Sequence, residues 1–140
     1  MTGPGRLVRR WAGWLAYAVF AIVALMVHWH PDLPRFSSAS GPGKALVWLV
    51  LAGFLAYSVV CSLREPIAPS LAAMARTWWG RQVGIDLYLG LGLFLVLVQL
   101  HLGDAWLTLA WALPVLLFAN LATLLYVAIH YESLLTWLGG

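Results

Sequence analysis

Apolar residues in this chain do not alternate with polar ones; they come in four long blocks. The blocks cover residues 11–29, 45–63, 83–102 and 105–131, and short polar stretches such as "HWHPD", "REP" and "HLGDA" lie between them. Each block is about as long as the roughly 20 apolar residues a helix needs to cross a bilayer. None shows the period-two alternation of a half-buried strand. The pattern predicts an all-α polytopic integral membrane protein, a four-transmembrane-helix bundle that forms a single domain over residues 1–140.

The punctuation between blocks adds detail. The stretch "PDLPRFSSASGPGK" (31–44) is rich in Pro, Gly and Ser and predicts an exposed connection. Pro66 removes a backbone donor where the second helix should stop. After it, "SLAAMARTWWG" predicts a short interfacial helix over about 70–79, with Ser70 as N-cap and Gly80 as C-cap. Pro114, inside the fourth block, predicts a kink in a continuous helix. The tail "ESLLTWLGG" should run along the surface, with Trp137 at headgroup depth.

Composition closes off the soluble alternative: 63% of the 140 residues are hydrophobic, 9% are charged, and nine are Trp. A soluble domain of this size cannot hide that much apolar surface. Cys61 is the single cysteine, so an intrachain disulfide and a CxxC redox or zinc site are excluded. The net charge of +3 does not point to nucleic acid, because the cations flank the apolar blocks. Arg6, Arg9, Arg10, Arg64, Arg76 and Arg81 fall on one side of the four-span arrangement, and Arg35 and Lys44 on the other. The positive-inside rule then gives an inner (plasma) membrane protein with both termini cytoplasmic and His28, His30 and His101 outside. The basic start before an apolar block also has the form of a signal peptide. The small-residue stretch "SAS" lies too far beyond that block for cleavage, so a retained helix is expected.

Two polar layers carry candidate chemistry. Asp86 follows Arg81 by five residues, ~7 Å along a helix, which places it near the cytoplasmic interface. If helices three and four form a hairpin, Asp86 is level with Thr123 and Tyr88 with Asn120, while Asn120, Thr123, Val127 and His130 share one helical face. Asp86, Tyr88, Asn120, Thr123 and His130 are therefore the candidate inner ligand-binding pocket. The plainer alternative is a structural network of polar side chains, with Arg81 or Arg76 snorkelling to Asp86. The outer layer holds His28, His30, His101 and Asp104, with Asp32 nearby. That set could ligate a divalent metal, or His28 and His101 could hold a haem as axial ligands. No HExxH or CxxCH is present, and the plainer alternative is histidines facing headgroups and water. The Gly80/Gly84 spacing predicts close helix packing.

The third and fourth blocks, "WWGRQVGIDLYLGLGLF" and "WALPVLLFANLATLLYVAI", resemble small bacterial multi-span membrane proteins that carry a W-G…D-L-Y-x-G core and an N-x-x-T-x-x-Y-like terminal helix. The likeness covers about residues 77–131. It implies a multi-span protein of unassigned activity and marks Trp79, Gly80, Asp86, Leu87, Tyr88 and Gly90, with Asn120, Thr123 and Tyr126 opposite.

Function is expected to be that of a structural or accessory membrane subunit without a cofactor. Its partners would be membrane lipids, further copies of itself or a larger membrane complex, and not nucleic acid. The alternative is a lipid-, quinone- or isoprenoid-binding protein or enzyme using the pocket around Asp86. A further alternative is a haem- or metal-binding redox subunit. The middles of the first two blocks, "AYAVFAIVAL" and "VWLVLAGFLAY", offer almost no polar atoms, which excludes a water-filled channel within one copy.

Overall fold

A computed structural model describes residues 4–140, with side chains from residue 11 onward. Arg6, Arg9 and Arg10 lie outside the described side chains. Among the described residues the chain forms seven α-helices and no strand: α1 (Pro4–Val27), α2 (Gly41–Arg64), α3 (Ile67–Ala75), α4 (Trp78–Leu102), α5 (Ala105–Phe118), α6 (Asn120–Ile129) and α7 (Tyr131–Leu138).

Helices α2 and α4, 24 and 25 residues long, are long and apolar enough to cross a membrane. At 1.5 Å per residue α4 reaches ~37 Å, enough for a ~30 Å hydrocarbon core and part of each interface. Leu49 of α2, Leu93 of α4 and Met26 of α1 are each at least 70% exposed, so all three helices present apolar side chains on their outer faces. Local signals set most helix ends. Pro42 sits in the first turn of α2, where its missing N–H is not needed, so that helix starts at Gly41 rather than 45. Thr77 caps α4 by accepting from the Gly80 amide at 3.0 Å, so α4 starts five residues ahead of expectation. A Cβ at Gly80 would lie 2.0 Å from the Met74 carbonyl, which makes glycine necessary in this tight α3–α4 junction. Gly80 is thus inside α4 and does not cap α3. Ser70 likewise lies inside α3, bonded to Glu65 and the Pro66 carbonyl, and Pro66 occupies the N-cap position.

The fourth block departs from expectation. Residues 105–131 do not form one kinked span; the chain reverses at Ala119, whose φ of 48° and ψ of −125° break the helix. The Trp111 ring meets the Tyr126 ring at a centroid distance of 4.9 Å, and Val115 and Ala122 share one buried cluster. Two pairs with the same residue-number sum mean that α6 runs back along α5. With 14 and 10 residues, the two helices are ~21 and ~15 Å long, too short to cross a ~30 Å core singly. Pro114 is absorbed within α5, and the break falls five residues later.

This α5–α6 hairpin is the centre of the molecule. Trp111, Val115, Ala122, Leu125, Tyr126, Ala128 and Ile129 are all at most 3% exposed. A helix apolar all round is stable only when neighbours surround it, and α1, α2 and α4 supply them. Tyr17 and His28 of the α1 region meet Leu121 and His130, so α1 runs parallel to α6. Phe94 and His101 of α4 meet Tyr126 and Ser133, so α4 does too. Lys44, at the start of α2, meets Glu132, so α2 runs antiparallel to α6.

One end of the bundle therefore gathers the 28–40 loop, the start of α2, the end of α4 and α7; here it is called the histidine end. The opposite, arginine end holds the start of α1, the end of α2, α3 and the start of α4. The start of α1 and α7 lie at opposite ends of the bundle, because the fourth block turns back on itself at Ala119. Helix α7 leaves α6 at 76°.

Candidate functional site

The first polar layer lies where α4 passes the hairpin tip. A groove of ≈420 Å³ runs between α4 and α6, and Asp86, Asn120 and Thr123 line it together. The rest of its wall is apolar: Leu87, Gly90, Leu91, Phe94, Leu124 and Val127. Its polar side chains sit toward the arginine end, and from Asp86 to Phe94 it extends ~12 Å along α4 toward the middle of the bundle.

Asp86 stands exposed on α4 and has neither an ion pair nor a hydrogen bond among the described residues. Arg81, the expected partner, instead lays its guanidinium 4.0 Å over the Trp78 ring. Asp86 also borders a second groove of ≈350 Å³, walled by Trp78, Arg81, Gln82, Ile85 and Leu89. The Asn120 side chain makes no hydrogen bond among the described residues; the Asn120 backbone carbonyl accepts from the Thr123 hydroxyl at 3.2 Å. The groove brings Asp86, Asn120 and Thr123 together, and the helix that carries the last two runs parallel to α4.

The other two members of the expected pocket lie elsewhere. Tyr88 points away, toward α5, with its hydroxyl 3.5 Å from the Leu116 carbonyl. His130 was placed at the inner end by depth along a single span. The reversal at Ala119 carries it instead to the histidine end, where it is buried.

There the second layer forms. The His130 ring stacks on Tyr126 at 4.3 Å and meets His28 at 4.6 Å and His101 at 5.7 Å. His101 bridges two hydroxyls, Tyr126 through Nδ1 at 2.6 Å and Ser133 through Nε2 at 2.7 Å. Burial first, and the neighbouring His30 second, hold the His28 imidazole below its ordinary pKa. His30 itself reaches the Ile129 carbonyl through Nε2 at 3.1 Å. Asp104 is spent on capping α5, with Oδ1 accepting from the amides of Trp106 and Leu107 at 2.8 and 3.0 Å. Asp32 pairs with Arg35 at 3.3 Å. Among the described residues no group of three or more His, Cys, Asp or Glu is placed to hold a metal ion. The pair weighed as haem ligands, His28 and His101, has the His130 ring against each member.

Sequence reasoning missed Lys44 and Glu132. Lys44 is 1% exposed and directs its ammonium to the carbonyls of Asp32 and Arg35, with the Glu132 carboxylate 3.8 Å away. Glu132 also accepts from Ser40 at 2.8 Å. The available signal was a lone lysine beside an apolar block and a lone glutamate after one, which is also the pattern of two solvated charges.

No protein-family model, curated protein or solved structure matches the chain.

Proposed function

We propose that this is a small plasma-membrane protein that binds one amphiphilic molecule in the α4–α6 groove. In this reading α1, α2 and α4 cross the bilayer, and α5–α6 is a re-entrant hairpin entered from the histidine end. Arg64, Arg76 and Arg81 put the arginine end in the cytoplasm. The observation that carries the reading is the groove itself: polar side chains at one end of an apolar channel, with Asp86 and Asn120 unbonded among the described residues. Polar groups at membrane depth cost free energy unless bonded, so a ligand head that bonds them is stabilised there. An inner-leaflet lipid has the matching polarity, with its head toward the arginine end and its chain toward the middle.

Gly90 provides the test, because a side chain added there meets nothing within 4 Å. Gly90→Phe should fold normally and fill the groove. Native mass spectrometry from mild detergent should show an amphiphile on the wild type and none on Gly90→Phe. Equal adducts on both, or none on either, would count against the reading.

The accessory-subunit reading has its own support. Gly84 and Gly92 of α4 also meet no atom within 4 Å, a bare surface on which a helix of another protein could pack closely.

A further inference from the structure

All four histidines gather around the end of α6, and the joint between α6 and α7 is one of them. We propose that α7 is an acid-released strap: it docks on the bundle while the rings of His28, His101 and His130 are neutral, and swings out when they take up protons. The device needs nothing from the α4–α6 groove.

The buried His130 ring is packed against His28 at 4.6 Å, His101 at 5.7 Å, Tyr126 at 4.3 Å and Trp111 at 6.0 Å. Its Nδ1 lies 3.1 Å from the Tyr126 carbonyl, and a carbonyl only accepts, so Nδ1 carries the one proton of the neutral ring. A second proton goes to Nε2, which has no hydrogen-bond partner among the described residues. The titratable groups facing that ring are His28 and His30 from the segment after α1, His101 from α4 and Tyr126 from α6, while α5 presents Trp111. Each carboxylate at this end is engaged elsewhere: Glu132 of α7 with Lys44 and Ser40, Asp32 with Arg35, and Asp104 with the first amides of α5. Tyr131 of α7 sets its hydroxyl against Gly43 of α2. A proton added to the cluster therefore meets apolar surroundings and further imidazoles, with no anion to offset it. The Tyr126 face attracts a cation, but weakly beside the cost of removing a charge from water.

Two of these rings also hold α7. His130 is the joint at which α7 turns 76° from α6. His101 bonds Ser133 through Nε2 at 2.7 Å, and its ring meets Trp137 at 5.8 Å. The remaining attachments are Leu134, which is 8% exposed, and the Glu132 contacts to Lys44 and Ser40. The apolar side chains of α7 have a second place to go: at a membrane surface Leu134, Leu135, Trp137 and Leu138 settle at headgroup depth, so release does not leave them in water. The released state binds more protons than the docked one. Docking is therefore stable above the ordinary imidazole pKa and is lost as the pH falls below it. At about pH 5, roughly 1.5 units below that value, each ring that stays neutral only while docked favours release up to ~30-fold, and two such rings up to ~1,000-fold.

The test places spin labels on the full chain at Ala105→Cys, in the first turn of α5, and Thr136→Cys, on α7, in a Cys61→Ala background in nanodiscs. Pulsed EPR should give one narrow distance at about pH 7.5 and a longer, broad distribution at about pH 5, reverting on neutralisation. His28→Gln combined with His130→Phe should keep the narrow distance at both values, and His28→Gln alone should move the transition to lower pH. Glu132→Gln should retain a pH response, because its carboxylate is not the sensor. An unchanged wild-type distance in acid, an undiminished response in the histidine variants, or loss of the response in Glu132→Gln would each overturn the strap. If the double variant is already broad at neutral pH it has lost docking, and His28→Gln alone decides.

Discussion

The hydroxyl of Tyr17, in α1, donates to the carbonyl of Leu121 at 3.2 Å, two residues beyond the point where the chain reverses. Both residues are buried, and the Tyr17 ring also meets Phe118 edge-on at 5.1 Å, so one side chain holds both arms of the hairpin tip. Tyr17→Phe keeps the ring and removes the bond. It should cost about 1 kcal/mol, read as a lowered midpoint in detergent-mediated unfolding, whereas an unchanged midpoint would mean that the hydroxyl is not needed.

Ala119 gives a prediction of opposite sign. A non-glycine residue at φ 48° and ψ −125° costs about 1–3 kcal/mol. Ala119→Gly should therefore raise the unfolding midpoint, although glycine usually weakens helical segments. Ala119→Val, β-branched and less tolerant of positive φ, should lower it.

Lys44 and Glu132 tie the start of α2 to the start of α7. Lys44→Met or Glu132→Gln should each cost about 2 kcal/mol, less than breaking a fully buried pair, because Glu132 is partly exposed and, when Glu132 is the residue replaced, Lys44 keeps its two carbonyl acceptors. The double substitution should cost less than the sum by about 0.5 kcal/mol or more. Strict additivity of the three unfolding free energies would remove the case for direct coupling.

Acid should loosen the histidine end. His28 has a folded pKa below its unfolded value, so its contribution is present above about pH 6.5 and is lost as the pH falls through the lowered value. Melting temperature should thus drop between about pH 7 and 5, and His28→Gln should flatten that drop. An identical pH profile in the variant would assign the effect to other groups.

Membrane topology can be read with cysteines placed in a Cys61→Ala background. Ser38→Cys and Thr136→Cys should react with an impermeant maleimide from one face and Ser70→Cys from the other. Labelling of Thr136→Cys together with Ser70→Cys would restore a fourth crossing.

The second and third blocks were legible because nothing interrupts them: a continuous apolar run bounded by Pro66, Thr77 and Gly103 has one cheap conformation in a bilayer. The reversal was not legible because Ala119 bears none of the usual marks of a turn. The nearest proline, Pro114, is compatible with the helix it occupies, and the residue that turns is one that ordinarily favours helix. His130 was placed at the wrong end for that reason alone. Asp86, Asn120 and Thr123 were nonetheless brought together, since a tip at Ala119 leaves Asn120 at the depth of Asp86 whichever way the following helix runs. The outer cluster was half legible: the histidines were visible as residue types, but Tyr126 and Ser133 join only because α6 returns to them.

The hairpin also dictates an order of manufacture. Helix α2 packs chiefly against α6, which follows it by more than fifty residues, and the buried core is made mostly of α5 and α6. Until residue 129 has left the ribosome, the earlier helices lack the partner they pack against. The nascent chain must wait as loosely held helices and then close around a plug that arrives last. A truncation in the final quarter would therefore remove the core of the whole domain, and cellular quality control should meet such a product as an unassembled set of helices.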